Sequence, residues 1–135
     1  MERFRPHLRR HGVTEQQWRV LRALSSVDRT TAGALAGLTV LSAPSLSRIL
    51  RDLARRKLII RKDSRTDQRS SWISLSVAGR AFLNRVAPES EAAYDAIERS
   101  VGRERLTALH GILDDLERRL GAEAPGPRYI ARRRL

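Results

Sequence analysis

The chain has 135 residues, which suits one domain or one domain with an appended dimerisation element, and its 41 % hydrophobic content argues against a disordered chain. Aromatic residues make up only 4 %, so we expect an aliphatic core of packed helices, and the lack of cysteine excludes disulfides, a cysteine nucleophile and cysteine-ligated zinc. The formal charge of +12, from 27 Lys and Arg against 15 Asp and Glu, favours a polyanionic partner, with nucleic acid ahead of an anionic membrane.

Two helices are predicted in the first 30 residues. Residues 1–12 are basic and stop at Gly12, which is a frequent helix terminator. Thr14 followed three residues later by Gln17 has the pattern of a capping box, so a second helix begins there. Residues 25–30 are mostly polar and are predicted to form a loop. The apolar positions of the second helix are Trp18, Val20, Leu21 and Leu24.

A helix-turn-helix is predicted next. Thr31 caps a short third helix, and Ser42 caps a fourth helix whose first turn accepts Pro44. The fourth helix buries one apolar stripe, formed by Leu46, Ile49, Leu50 and Leu53. Away from that stripe lie Ser45, Arg48, Arg51 and Arg55. The second helix of the pair is therefore basic.

After the fourth helix, the spacing of the apolar residues changes from one typical of a helix to one typical of a strand. Residues 58–60 and 72–75 are two short strand patterns, and residues 61–70 between them are a charged and polar hairpin tip. Two strands around a basic tip, directly after a helix pair, are typical of a wing.

Two helices complete the chain. Ser76 caps a long helix that ends at Gly102, and we expect Pro88 to kink or break it near Ala87. The last helix has an apolar face made by Leu106, Leu109, Ile112, Leu113, Leu116 and Leu120. Residues 122–135 are predicted to be a flexible basic tail.

The predicted fold class is mainly α with a small β-hairpin wing: a winged helix-turn-helix with helical dimerisation elements at both termini. Residues 1–30 supply the N-terminal dimerisation and support helices, and residues 31–76 form the DNA-binding lobe. Residues 77–121 form the long C-terminal dimerisation helices, before the tail at residues 122–135.

The basic residues concentrate on the two elements that a winged helix presents to a duplex. Residues 48–69 hold nine Lys or Arg and three Asp, a local excess of six. Arg48, in the reading turns of the fourth helix, suits a bidentate contact with guanine. Wing arginines suit the electronegative minor groove, although Asp67 could instead pair with Arg69 and only shape the hairpin. The predicted DNA-binding residues are Ser42, Ser45, Ser47, Arg48, Arg51, Arg61, Arg65, Asp67 and Arg69.

These residues resemble the MarR family of bacterial regulators over roughly residues 3–120 of the chain. Residues 14–21 resemble the family's second helix, residues 41–50 its recognition helix, and residues 67–69 with 75–80 its wing and the start of its long helix. Where the family usually has Leu-Thr this chain has Leu-Ser, which keeps a hydroxyl cap.

The combination of His11-Gly12, the Gln-Gln-Trp-Arg-Val run at residues 16–20 and Ala87-Pro88-Glu89 is most similar to the branch that regulates homoprotocatechuate (3,4-dihydroxyphenylacetate) degradation. The resemblance implies a homodimer that places one winged helix on each half of a palindromic operator in double-stranded DNA. It also implies repression that a small aromatic acid relieves. Relatives usually have a longer first helix that begins well before the position of Met1, so either the start lies late or the dimer module is shortened.

Family pockets lie between the dimer helices and the DNA-binding lobe. An aromatic carboxylate needs a cation, a hydrogen-bond partner and an apolar wall. The candidate effector residues are His7, Arg10, His11, Trp18 and Arg19. The alternatives are core packing for the tryptophan and an exposed or capping role for the histidines. The two histidines, spaced by four, could hold a metal if both were helical, but no third ligand is evident, so we expect no metal and no cofactor.

An enzyme and a general DNA-binding protein are the two classes that compete with a ligand-responsive repressor. An enzyme is disfavoured because the chain has no phosphate-binding Gly-rich loop, no nucleophile motif and no clustered metal ligands. A general or architectural DNA-binding protein without an effector remains an alternative, and it would lose nearly all affinity as salt rises. With no signal-peptide or membrane-span pattern, we expect a cytoplasmic, nucleoid-associated bacterial protein with no membrane partner.

Overall fold

A computed structural model describes residues 5–63 and 71–120 of the chain. The elements, in order, are α1 (Arg5–Arg10), α2 (Glu15–Ser25), β1 (Thr30–Thr31), α3 (Ala32–Thr39), α4 (Ala43–Arg55), β2 (Ile59–Asp63), β3 (Ser71–Leu75), α5 (Val77–Val101) and α6 (Arg103–Arg119). Most of this part of the chain is helical and the rest includes one small antiparallel sheet, which confirms the predicted fold class.

The predicted hydroxyl caps begin four of the helices. The Thr14 hydroxyl accepts a hydrogen bond from the Gln17 backbone N–H at 3.1 Å, and the Gln17 side-chain oxygen accepts one from the Thr14 N–H at 2.9 Å, which completes the capping box before α2. Thr31, Ser42 and Ser76 cap α3, α4 and α5 in the same way through one side-chain oxygen each. These bonds satisfy donors that the first turn of a helix leaves free.

The turn between α3 and α4 produces the helix-turn-helix. Val40 ends α3 in the left-handed region at φ 53°, and the Leu41 N–H donates to the Ala36 carbonyl at 3.3 Å. The two helices then differ in direction by 108°, within the range of helix-turn-helix motifs. In the described part of the chain no single helix has the length and apolar content to cross a membrane; only this bent pair, taken together, meets those two criteria.

The sheet has the strand order β1-β3-β2, with both pairs antiparallel. The wing is confirmed, but the tip does not begin at Arg61, because β2 stays paired with β3 as far as Asp63 opposite Ser71. The third strand, β1, was not predicted, since two residues are too few to show a period of two. The predicted loop at residues 25–30 is therefore wrong at both ends, because Ser25 is the last residue of α2 and Thr30 pairs with Ile73 of β3.

The hydrophobic core lies where α2, α3, α4 and the first half of α5 cover one face of the sheet. Gly79, in the first turn of α5, faces the start of β2 so closely that a Cβ atom there would overlap the carbonyl oxygen of Leu58. The fully buried aliphatic side chains include Val20, Leu21, Leu24, Leu35, Leu53, Ile73 and Val86. As composition predicted, this core is aliphatic.

Helix α5 continues through Pro88, so a break near Ala87 is wrong, while the alternative, a kink there, stays a prediction. Proline removes one helical hydrogen bond and leaves the carbonyl four residues earlier, on exposed Asn84, for water to satisfy. Val86 and Ser90 on either side are fully buried, and their packing holds the helix together across the proline.

The apolar face of the last helix is exposed. Leu109, Ile112, Leu113 and Leu116 of α6, with Leu120 at its C-cap, keep between 46 % and 81 % of their surface exposed. The predicted domain boundaries remain a prediction, and the predicted tail at residues 122–135 lies outside the described residues.

Candidate DNA-binding surface and effector site

Helix α4 separates an apolar face from a cationic one. Its buried stripe is the predicted set Leu46, Ile49, Leu50 and Leu53. Ser47, Arg48 and Arg51 are exposed on the other side. No salt bridge among the described residues uses Arg48 or Arg51, so both guanidinium groups can bind an external anion. This face has the charge and the donors that base edges and phosphates require.

The serines at the start of α4 contact each other. The Ser42 hydroxyl accepts from the Ser45 N–H at 3.4 Å and donates to the Ser45 hydroxyl at 3.0 Å. Ser42 therefore acts first as a helix cap, and a DNA contact by either hydroxyl would be additional to this local role. Ser47 is exposed and makes no such side-chain hydrogen bond within the described part of the chain.

The part of the wing that the structure describes is cationic and lies beside α4. Arg61 and Lys62 are exposed on β2, which packs against α4. Lys62 is opposite Trp72 in the strand register, and the guanidinium carbon of Arg29 stacks 4.7 Å above the Trp72 ring. Three predicted wing residues, Arg65, Asp67 and Arg69, lie outside the described residues.

An open groove of about 690 Å³ runs between the first turn of α2 and the cationic side of α4. Asp52 lies in its wall and is held from two directions: Gln17 Nε2 donates to one carboxylate oxygen at 2.8 Å, and Arg55 Nη2 donates to the other at 2.7 Å. The lining residues are Thr14, Gln16, Gln17, Arg48, Ile49, Arg51, Asp52 and Arg55. Gln16 and Asp52 were not predicted as site residues, although the spacing of positions 48, 51, 52 and 55 places these four residues on one side of a helix.

Three of the candidate effector residues join α1 to α5. His7 is buried, with its Nε2 2.9 Å from the hydroxyl of Ser90. Arg10 donates to one Glu89 carboxylate oxygen at 2.8 Å, and His11 Nε2 lies 3.1 Å from the other. Because α1 ends at Arg10, the two histidines are not both helical, and the condition stated for a metal pair is not met.

The electrostatics of this cluster follow from its contacts. Burial lowers the pKa of His7, opposed by the Glu89 carboxylate and assisted by the neighbouring Arg10 and His11. The hydrogen bonds from Arg10 and His11 lower the pKa of Glu89. Arg10 and His11 are therefore both already in contact with a carboxylate of the chain itself, that of Glu89.

The other two candidates have different surroundings. Trp18 is buried in the core, which agrees with the alternative of core packing. Arg19 donates hydrogen bonds to the Thr39 carbonyl at the end of α3 at 3.2 Å and to the Glu15 carboxylate at 3.1 Å. The described contacts of the five residues thus do not form one site. Arg22 was not among the predicted residues. Its guanidinium carbon lies 6.0 Å from the centre of the Trp18 ring, and the spacing of four on one helix is typical of such a pair.

Comparison with known proteins agrees with this geometry. The MarR family profile matches residues 11–70. The homoprotocatechuate degradative operon repressor of Escherichia coli is 36 % identical over 115 residues, which cover 85 % of this chain and 78 % of that protein. NadR, solved in complex with 4-hydroxyphenylacetate, is 34 % identical with a TM-score of 0.74, and the match covers 86 % of this chain and 82 % of that chain. The transcriptional repressor CouR, solved bound to a 23-mer DNA duplex, is 26 % identical with a TM-score of 0.77, and the match covers 85 % of this chain and 82 % of that chain. The chain belongs to the MarR family of transcription regulators.

Proposed function

We propose that this chain is a dimeric, ligand-responsive repressor that binds a palindromic operator and controls an operon for the breakdown of an aromatic compound such as homoprotocatechuate. The observation that carries the proposal is the exposed cationic face of α4, where Arg48 and Arg51 have no salt bridge within the described residues. The E. coli relative is a repressor of that class of operon, and the CouR relative was solved on duplex DNA. The protein acts in the cytoplasm, in association with the nucleoid.

The reading contacts follow from the position of each side chain. Arg48, in the second turn of α4, reaches a guanine edge in the major groove, and Ser47 beside it reaches a base edge or a phosphate. Arg51 one turn later contacts the backbone. Arg61 on β2, with the wing residues Arg65 and Arg69, follows the adjacent minor groove.

A second copy of the chain covers the exposed apolar face of α6. Five large aliphatic side chains along 12 residues are more than a monomer normally leaves to water on one helix face. Pairing two chains through this face buries it and supplies the second half-site of a palindrome. The N-terminal helix α1, which contacts α5, adds to the same dimer module.

The effector is a small aromatic acid. Arg22, whose guanidinium carbon lies 6.0 Å from the centre of the Trp18 ring, is an additional candidate for binding the effector's carboxylate, since Arg10 already donates to Glu89. NadR, which is 34 % identical to this chain, was solved with 4-hydroxyphenylacetate, an acid of this class. The five candidates named from the sequence, His7, Arg10, His11, Trp18 and Arg19, are retained in the proposal.

The test is a mobility-shift assay on the DNA upstream of the protein's own gene, over a salt series, with and without 3,4-dihydroxyphenylacetate or 4-hydroxyphenylacetate. We expect a large preference for this DNA over an unrelated duplex at every salt concentration, and release when the acid is added. Arg48→Ala is expected to relax the preference at one base position and to cost about 1–3 kcal/mol of operator binding. Equal affinity for both duplexes, lost together as salt rises, would support the general DNA-binding alternative instead.

A further inference from the structure

We propose that the groove between the first turn of α2 and α4 receives one sugar–phosphate strand of the bound duplex, and that Asp52 limits how strongly the groove attracts any duplex. This inference rests on the proposed DNA-binding function and extends it to residues outside the reading turns. It assigns direct backbone contacts to Arg55 and Gln16, and a negative, orienting role to Asp52.

The groove is cationic along one side. Arg48, Arg51 and Arg55 recur at spacings of three and four, so their side chains stack along the same side of α4. They face one acid, Asp52, and the remaining lining residues are uncharged, which leaves the lining with a net charge of +2. A strand with one charge per nucleotide is the natural counterpart of a concave, open surface with this charge.

The opposite side of the groove offers a neutral hydrogen-bond donor. Gln17 is partly committed, because its side-chain oxygen completes the capping box with Thr14 and one of its two amide hydrogens is donated to Asp52. Gln16 is exposed and also lines the groove, so its amide remains available for a phosphate oxygen. Both walls of the groove can therefore contact the same strand.

Asp52 both positions Arg55 and opposes phosphate. Its two oxygens are bound by Gln17 and Arg55 at 2.8 Å and 2.7 Å, so the carboxylate is fixed in the groove wall. Arg55 uses one Nη in that contact and keeps further donors for phosphate, with 77 % of its side chain exposed. The fixed negative charge repels phosphate whatever the base sequence, so it lowers the affinity for every duplex without changing which bases are read.

The shape of the groove favours a strand over a small ligand. A small aromatic acid is usually bound in an enclosed pocket that covers most of its surface. This groove is open to solvent, and three of its eight lining residues are arginines.

The experiment measures binding of the full-length protein to its own upstream DNA and to an unrelated duplex of equal length, over a salt series. Three groove variants, Arg55→Ala, Gln16→Glu and Asp52→Asn, are compared with wild type. The matched controls are Arg118→Ala and Asp115→Asn, because Arg118 and Asp115 on α6 form the same i,i+3 ion pair with a similar 76 % exposure of the arginine. Melting temperatures verify that each variant is folded.

Arg55→Ala is expected to weaken binding to both duplexes about eightfold at ~0.1 M salt, which is the counter-ion contribution of one phosphate contact, and to reduce the salt slope by about one. Gln16→Glu is expected to weaken both as well. Asp52→Asn is expected to strengthen binding to both duplexes by a similar factor, so the preference for the protein's own DNA should change little. The amide oxygen that Asp52→Asn introduces can still accept a hydrogen bond from Gln17, so the Asp52→Asn protein should fold. If that protein does not fold, the binding of the Gln16→Glu variant, changed at an exposed position, tests the proposal instead.

The proposal is overturned if the groove variants match the α6 controls on the unrelated duplex. It is also overturned if Arg55→Ala abolishes binding of the aromatic acid and leaves both duplexes unaffected, since the groove is then a small-molecule site. Failure of the repressor function is a separate outcome: a wild-type protein without preference for its own upstream DNA would refute repression, while the unrelated duplex still tests the groove.

Discussion

Replacing Gly79 by alanine tests the contact that holds the wing against the long helix. The added Cβ would overlap the Leu58 carbonyl oxygen and lie 3.0 Å from its carbonyl carbon and 3.1 Å from Cδ2 of Leu75. The overlap is with backbone, so the first turn of α5 and the start of β2 must separate. That separation strains the hydrogen bonds from the Ser76 N–H to the Leu58 carbonyl at 3.1 Å and from the Ser76 hydroxyl to the Lys57 carbonyl at 2.7 Å.

The cost follows from these contacts. Overpacking costs about 1–3 kcal/mol, and weakening two hydrogen bonds adds about 1 kcal/mol each, against a gain of about 1 kcal/mol in helix propensity. We expect Gly79→Ala to lose about 2–4 kcal/mol of unfolding free energy, and the melting temperature to fall by roughly 8–16 °C for a chain of this size.

Urea unfolding followed by circular dichroism measures the change. Gly37→Ala in α3 is the control: nothing lies within 4 Å of the added Cβ, so alanine should stabilise the helix by about 0.5–1 kcal/mol. A Gly79→Ala protein as stable as wild type would refute the reasoning, because it would mean that β2 and α5 can separate without loss.

Two further perturbations test the dimer and the α1–α5 cluster. Leu113→Glu places a charge on the exposed apolar face of α6, so we expect a monomer by light scattering and a loss of operator binding. Thr107→Glu, on another side of the same helix, is the control and should stay dimeric. A dimeric Leu113→Glu protein would contradict the assigned interface. The lowered pKa of His7 means that the folded state binds its proton less readily than the unfolded state, so unfolding free energy should decrease as pH falls below 6.5, until the pH passes the lowered pKa. His7→Gln should flatten this part of the pH profile in urea titrations between pH 7 and 5, and an unchanged slope would show that His7 is not the group responsible. The lowered pKa of Glu89 adds a separate loss below 4.5, which Glu89→Gln should remove.

The predictions that succeeded rest on interactions between residues close in sequence. A hydroxyl at the helix start bonds to a backbone N–H three residues away, so Thr14, Thr31, Ser42 and Ser76 could be identified as caps without knowledge of the fold. Apolar spacing likewise separated the buried stripe of α4 from the face that carries Arg48. The helix-turn-helix, the wing and the basic reading helix follow from these local rules.

Contacts between distant residues were decided only by the tertiary structure. The His7–Ser90 hydrogen bond spans 83 positions and the Gln17–Asp52 bond spans 35, so no local spacing indicates either partner. Strand β1 exists only because β3 pairs with it, and α5 continues through Pro88 because the core buries the residues on both sides of the proline. A side chain's type and its place on a helix are local properties, whereas its partner depends on which elements the hydrophobic core brings together.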